Sequence, residues 1–123
     1  MNIITQKQLE QLKLNGSPEK QDEDHLPVVK LVLPGEGCTW LLTEVDPEEP
    51  TLAFGLCDLC IGFPELGYVS FEVLESICVH GIFKVECDLD FKAKYPVSVY
   101  AQAARIVATI TFDDELLKQA AEM

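Results

Sequence analysis

The stretch Thr39–Ser70, TWLLTEVDPEEPTLAFGLCDLCIGFPELGYVS, decides the fold. Two apolar segments, Thr39–Val45 and Thr51–Leu59, flank Asp46-Pro47-Glu48-Glu49-Pro50, whose prolines and acidic residues have the chemistry of a tight turn. That pattern predicts a central β-hairpin. Trp40, Leu42 and Glu44 alternate with Leu41, Thr43 and Val45, and Leu52, Phe54, Leu56 and Asp58 share one face of the returning strand. Both faces carry apolar residues, which places the hairpin mid-sheet. A turn centred on Glu48 pairs residues whose numbers sum to about 96 or 97, setting Cys38 opposite Asp58 or Leu59 and Glu44 near Leu52. A second turn, Gly62-Phe63-Pro64-Glu65, leads into a short strand over Leu66–Val69.

Upstream, Thr5 caps a predicted helix running to Asn15, with Leu9 and Leu12 on one face and Gly16 as its stop. Ser17–Leu26 is polar and charged, the composition of an exposed, mobile loop. Pro27–Leu33 reads as a strand with Lys30 on its wetter face. Downstream, Ser70 caps a helix from Phe71 to about Cys78, ended by His80-Gly81. Phe83–Leu89 alternates cleanly, with Phe83, Val85, Cys87 and Leu89 inward. Ser98 caps a helix through Val107, although Arg105–Phe112 also alternates like a strand. Thr111 caps a last short helix, Phe112 to about Ala121.

The chain has 123 residues, 48% of them hydrophobic, enough for one domain burying roughly 65–70% of its unfolded surface. Its formal net charge is −12, and from Leu31 to Phe83 there is no Lys or Arg against nine Asp and Glu. Such a single-signed field argues against direct contact with nucleic acid or anionic membranes, which need clustered cations. The amino-terminal residues lack the features of a signal peptide, and no apolar run approaches the ~20 residues of a membrane span. The expectation is a cytoplasmic protein whose five cysteines are reduced thiols.

Four sets of residues invite a chemical reading. Cys57-Asp58-Leu59-Cys60 is a CxxC, and with Cys38 and His80 it supplies the residue types of a zinc site, without the second close pair that structural zinc sites use. Glu44 and Asp58 are acids on apolar faces, but the hairpin register holds them about 20 Å apart, too far for a shared reaction or cation. Asp58 alone, near Glu65, is suited to holding backbone amides or a cation. Nucleophilic catalysis has no support: Cys78 and His80 stand two apart, where helical side chains do not meet, His25 lies in the loop, and no serine-hydrolase, metalloprotease or phosphate-loop motif is present. The fourth set is acidic: Glu44, Asp46, Glu48 and Glu49 around the hairpin tip, and Glu86, Asp88 and Asp90 along one strand face. Rows of this kind imitate a phosphate backbone, and any solvated sheet face also resembles them.

The run WLLTE-VDPEEP-x-x-AFGLCDL, followed by PELGYVS and a Ser-capped helix, resembles an uncharacterised family of small acidic proteins carried on bacterial plasmids and integrative elements. The similarity extends to ITQKQLEQL-x-x-NG, PVVKL and RIVA, and so covers most of the chain to about Ala108. The family is a domain of unknown function and brings no catalytic residues. It implies a setting among genes for conjugation and anti-defence. Members carry Gly where this chain has Cys60, and the segment TITFDDELLKQAAEM after Ala108 is particular to this chain.

The reading is a single α+β domain over residues 1–108, an antiparallel β-sheet with short helices packed on one side, followed by a carboxy-terminal extension, helix or tail, over 109–123. Its function is that of a non-enzymatic accessory protein of a mobile genetic element, without cofactor. It binds another protein, of the DNA-binding or defence type, through its acidic surface, as a monomer or homodimer. The alternative is a metal-binding protein or small hydrolase centred on Cys57, Cys60, Asp58 and Glu65.

Overall fold

A computed structural model of the chain describes residues 3–123. The predicted hairpin is its centre: β2 (Cys38–Val45) and β3 (Leu52–Asp58) pair antiparallel, and β1 (Val29–Leu33) and β4 (Glu65–Ser70) flank them. A two-residue strand, β7 (Glu86–Cys87), completes a five-stranded antiparallel sheet in the order β4-β3-β2-β1-β7. The turn forms as its chemistry demands. Asp46 Oδ1 accepts from the Glu48 N–H, and Leu52 donates to the Glu49 carbonyl.

From Thr39↔Asp58 to Leu42↔Gly55 the partners sum to 97, and then a β-bulge at Thr43 moves the register to Glu44↔Phe54. Glu44 therefore faces Phe54 rather than the region of Leu52. Its distance from Asp58 is four residues of strand, about 13 Å rather than 20.

Helices cover both faces of the sheet, not one. On the first face, α1 (Gln6–Asn15) and α2 (Phe71–Ser76) pack Leu12, Phe71 and Leu74 against Val29, Leu31, Trp40, Leu42 and Val45. On the second, α3 (Val97–Val107) and α4 (Asp114–Ala121) pack Tyr100, Ala103, Ala104 and Leu117 against Leu41 and Leu56. Small residues on α3 let its backbone approach the sheet closely. The strand alternation that put apolar side chains on both faces of the hairpin is what requires two helical layers.

Thr5 caps α1 in a full capping box with Gln8. Gly16 ends the helix for a reason other than backbone freedom. Its φ is −86°, but a Cβ there would lie 2.0 Å from the Val45 carbonyl oxygen. Beside it, Asn15 is buried and donates through Nδ2 to the Thr43 carbonyl at 2.9 Å, satisfying a backbone group at the bulge. Ser70 caps α2 as expected, but the helix stops at Ser76. Cys78 and Val79 (β5) instead form a small hairpin with Phe83 and Lys84 (β6), turning through His80 and Gly81, both at positive φ.

The continuous strand expected over Phe83–Leu89 divides between that hairpin and β7, and Leu89 faces solvent. Ser17–Leu26 is exposed as expected yet tied down at its far end. Val97 donates to the His25 carbonyl, and the Asp24 carboxylate accepts from both the backbone N–H and the hydroxyl of Ser98. Asp24 thus supplies the α3 cap that Pro96 lacks, the role the sequence suggested for Ser98 itself. The helix runs through Arg105 to Val107 and ends at Ala108 in the left-handed conformation, so Arg105–Phe112 is not a strand.

The last helix starts at Asp114 and is capped by Asp113, two residues later than Thr111 would have set it. Residues 109–123 are part of the second core: Ile110, Leu117 and Ala120 are buried, and Phe112 meets Phe91 and Tyr100 at ring-centroid distances of 5.8 and 6.1 Å. The Lys30 ammonium lies 4.1 Å from the Phe112 ring centroid, so the wetter face of β1 is where this segment docks.

Candidate functional site

Asp58 ends β3 on the α3/α4 face, where it is 1% exposed. Its hydrogen-bond partners are donors of the chain itself. Oδ1 accepts from the Cys60 N–H at 2.9 Å; Oδ2 accepts from the Thr109 hydroxyl and the Ile110 N–H, both at 2.8 Å. These bonds compensate the burial of the carboxylate and fasten the start of the β3–β4 connection and the exit of α3 to one point. Glu65 pairs with Cys57 in the ladder and so projects to the other face of the sheet. The Asp58–Glu65 pairing considered from sequence is separated by the sheet itself.

Cys38, Cys57 and Cys87 pack as small apolar side chains against the first core, while Cys60 and Cys78 are exposed. Burial pushes the Cys57 thiol up to about 11, and Cys38 is raised as well, by burial first and then by neighbouring Cys60 and Asp58. Protonated thiols are poor nucleophiles and must lose their protons to ligate a metal. His80 lies 3.8 Å from Glu36 on the surface. Among the described residues no three His, Cys, Asp or Glu side chains come together to hold a metal, so Cys38, Cys57, Cys60 and His80 do not assemble into the site their residue types suggested. Cys60 has φ +61°, a left-handed conformation that suits the glycine implied there by the family resemblance.

The acidic residues fall into two groups. Asp46, Glu48 and Glu49 form the β2–β3 turn, with Glu48 and Glu49 exposed and Asp46 partly so. Glu44 stands just before them on the α3/α4 face, half-buried, its carboxyl raised by burial, with His25 opposing and Asp22 adding to the shift. Glu86, Asp88 and Asp90 belong to the other edge of the sheet, two strands from β2 and so about 10 Å across it. They make no uniform row, because β7 is only two residues long. Asp88 is engaged by Lys30 at 3.4 Å and accepts from the Asp90 N–H, leaving Glu86 and Asp90 exposed.

Sequence reasoning did not single out the edge of the sheet beyond β3. Among the described residues strand β4 has one ladder partner, and Leu66 and Tyr68 on it are exposed; Tyr68 rests edge-on against Phe54, ring centroids 5.1 Å apart. The preceding loop exposes Ile61 and Phe63 by 68% and 72%. The sequence signal was there: apolar residues at Leu59, Ile61 and Phe63 around a Gly-Pro turn have no core to enter.

This architecture defines a single α+β domain of three layers, a five-stranded antiparallel sheet between two pairs of helices, with an acidic hairpin tip and one open apolar edge. Its sequence over residues 3–111 matches the family described as Protein of unknown function (DUF2958), and the chain belongs to that family. No curated protein and no solved structure matches it. The family match stops short of α4, so the helix that completes the second core lies outside it. No helix among the described residues is long and apolar enough to cross a membrane.

Proposed function

We propose that the protein is a non-enzymatic accessory factor of a mobile genetic element that acts by binding a basic protein, of the DNA-binding or defence type, through its acidic surface. The observation that carries this reading is the distribution of charge in the fold. The stretch from Leu31 to Phe83, which builds β2, β3, β4 and α2, contains no Lys or Arg, and of its nine acids only Asp58 is buried. One half of the sheet thus presents carboxylates with no cation of its own segment to offset them. Such a surface attracts and orients a cationic partner and repels nucleic acid. The resemblance to plasmid-borne proteins supplies the setting, where a DNA-binding protein whose phosphate-contacting surface is occupied loses access to DNA.

The test is capture by tagged protein from host lysate under nuclease, comparing the native chain with Asp46→Lys/Glu48→Lys/Glu49→Lys. A basic protein retained in stoichiometric amount by the native chain and lost with the charge-reversed one is the expected result. Equal retention by both sinks the proposal.

A further inference from the structure

The two edges of the sheet differ. Strand β7 is two residues long, and short edge strands discourage pairing with another chain. Strand β4 has six residues, none of them Lys or Pro, and no bulge in its register with β3. Its backbone orientation follows from one bond. Phe71 donates to the Thr51 carbonyl at 2.8 Å, so Leu52↔Ser70 and Phe54↔Tyr68 are non-hydrogen-bonded pairs. The N–H and C=O groups of Leu66 and Tyr68 therefore point away from β3, to the side where no strand lies among the described residues.

The side chains along this edge are sorted by face. Leu66 and the 67%-exposed Tyr68 stand on one; Glu65 and Gly67 stand on the other, with open space where a Gly67 Cβ would be. At the start of the strand, on the Glu65 face, Cys57, Leu59, Ile61, Phe63 and Glu65 line a cleft of about 260 Å³, large enough for the apolar stem of one Lys or Arg whose head meets Glu65.

We infer that β4 is a strand-addition site, and that its occupant is an extended segment of a partner protein in which apolar residues alternate with Lys or Arg. Main-chain bonds to Leu66 and Tyr68 give the attachment, apolar side chains cover Leu66 and Tyr68, and cations meet Glu65 on the opposite face. Charge selects this occupant over a second copy. Joining two β4 edges brings the cation-free halves of two chains, each of net charge −12, against one another. The inference rests on the basic-partner reading above and locates where that partner begins to bind.

The test uses the full-length chain and a short peptide alternating lysine and valine, with the same peptide N-methylated at every second amide as a control that cannot pair. Amide hydrogen exchange is followed by NMR. Free protein is expected to exchange faster at Leu66 and Tyr68 than at Gly67 and Val69, and the peptide to slow the first two. Tyr68→Pro removes an outward N–H without touching the β3 ladder and lowers peptide affinity about tenfold, the worth of roughly one ladder hydrogen bond. Tyr68→Ala, which loses the same contact with Phe54 but keeps the N–H, separates the bond from the ring; Gly67→Lys, whose side chain enters open space, weakens binding by charge while its urea midpoint stays near that of the native chain. Binding that leaves Leu66 and Tyr68 exchange unchanged, but is lost on Glu48→Lys/Glu49→Lys, overturns the edge and keeps the acidic-surface reading. No binding of either peptide at low salt overturns the edge, while the lysate capture decides the acidic surface separately. Self-association abolished by Tyr68→Pro assigns the edge to a second copy and overturns the inference.

Discussion

The carboxylate of Asp58 accepts the N–H of Ile110 at 2.8 Å, joining the end of a central strand to the exit of a helix 52 residues later. With Cys60 and Thr109 also donating to it, Asp58 works as a structural clamp. Asp58→Ala leaves the Ile110 N–H buried without its partner and is expected to cost about 2–4 kcal/mol, measured by urea unfolding. Asp58→Asn keeps acceptor oxygen for part of the network and should cost less. If the alanine variant is as stable as the native chain, the clamp is not one.

Helix α4 lies beyond the family match yet closes the second core. Leu117 is 1% exposed, and Leu117→Ala is expected to destabilise by about 2–4 kcal/mol. Ending the chain after Thr111 removes Phe112 from Lys30 and uncovers Tyr100; a cooperative urea transition with an unchanged midpoint would refute this account.

Glu44 is a carboxyl whose folded pKa is raised, chiefly by burial. An acid raised on folding favours the native state below its unfolded pKa, about 4.3, and loses that contribution as pH rises through the folded value. Glu44→Gln removes the burden of the half-buried charge. The variant should gain stability over the native chain at pH 7, and the gain should disappear below about pH 4. A stability difference that does not change with pH contradicts the assignment.

Ala108 closes α3 with φ +62°, where a Cβ is disfavoured. Ala108→Gly should therefore stabilise by about 0.5–1 kcal/mol, the relief of strain exceeding glycine's extra unfolded-state entropy. Thermal unfolding gives the sign directly.

The hairpin, its turn, the caps Thr5 and Ser70, and most of the β2–β3 register were legible because each depends on residues close in sequence. What was not legible depends on contacts between distant segments. Asn15-Gly16 reads as a helix stop, but its shape answers the bulge at Thr43 and the Val45 carbonyl, and nothing local announces that bulge. Asp24 caps a helix whose first turn is more than seventy residues away. Alternation over Phe83–Leu89 signals extended backbone without saying which strand it joins, and two partners divide it. For the candidate site, residue types pointed to Asp58 as a holder of backbone amides, which is its position in the fold, while Cys38, Cys57, Cys60 and His80, whose types suggested zinc, are not brought together among the described residues. The apolar residues Leu59, Ile61 and Phe63 hinted at an exposed surface, but that β4 forms the edge was not legible, because the order of strands is not written in any one of them.

The inequality of the sheet's two edges has a consequence for stoichiometry. A segment added beside β4 meets no complementary long strand at β7, so among the described residues the sheet presents no second site of the same kind. Propagation of this chain head to tail, β4 onto β7, is therefore disfavoured. If β4 takes up the basic segment proposed above, the expected product is a one-to-one complex rather than a fibre of this chain, with a single mass by light scattering at all concentrations.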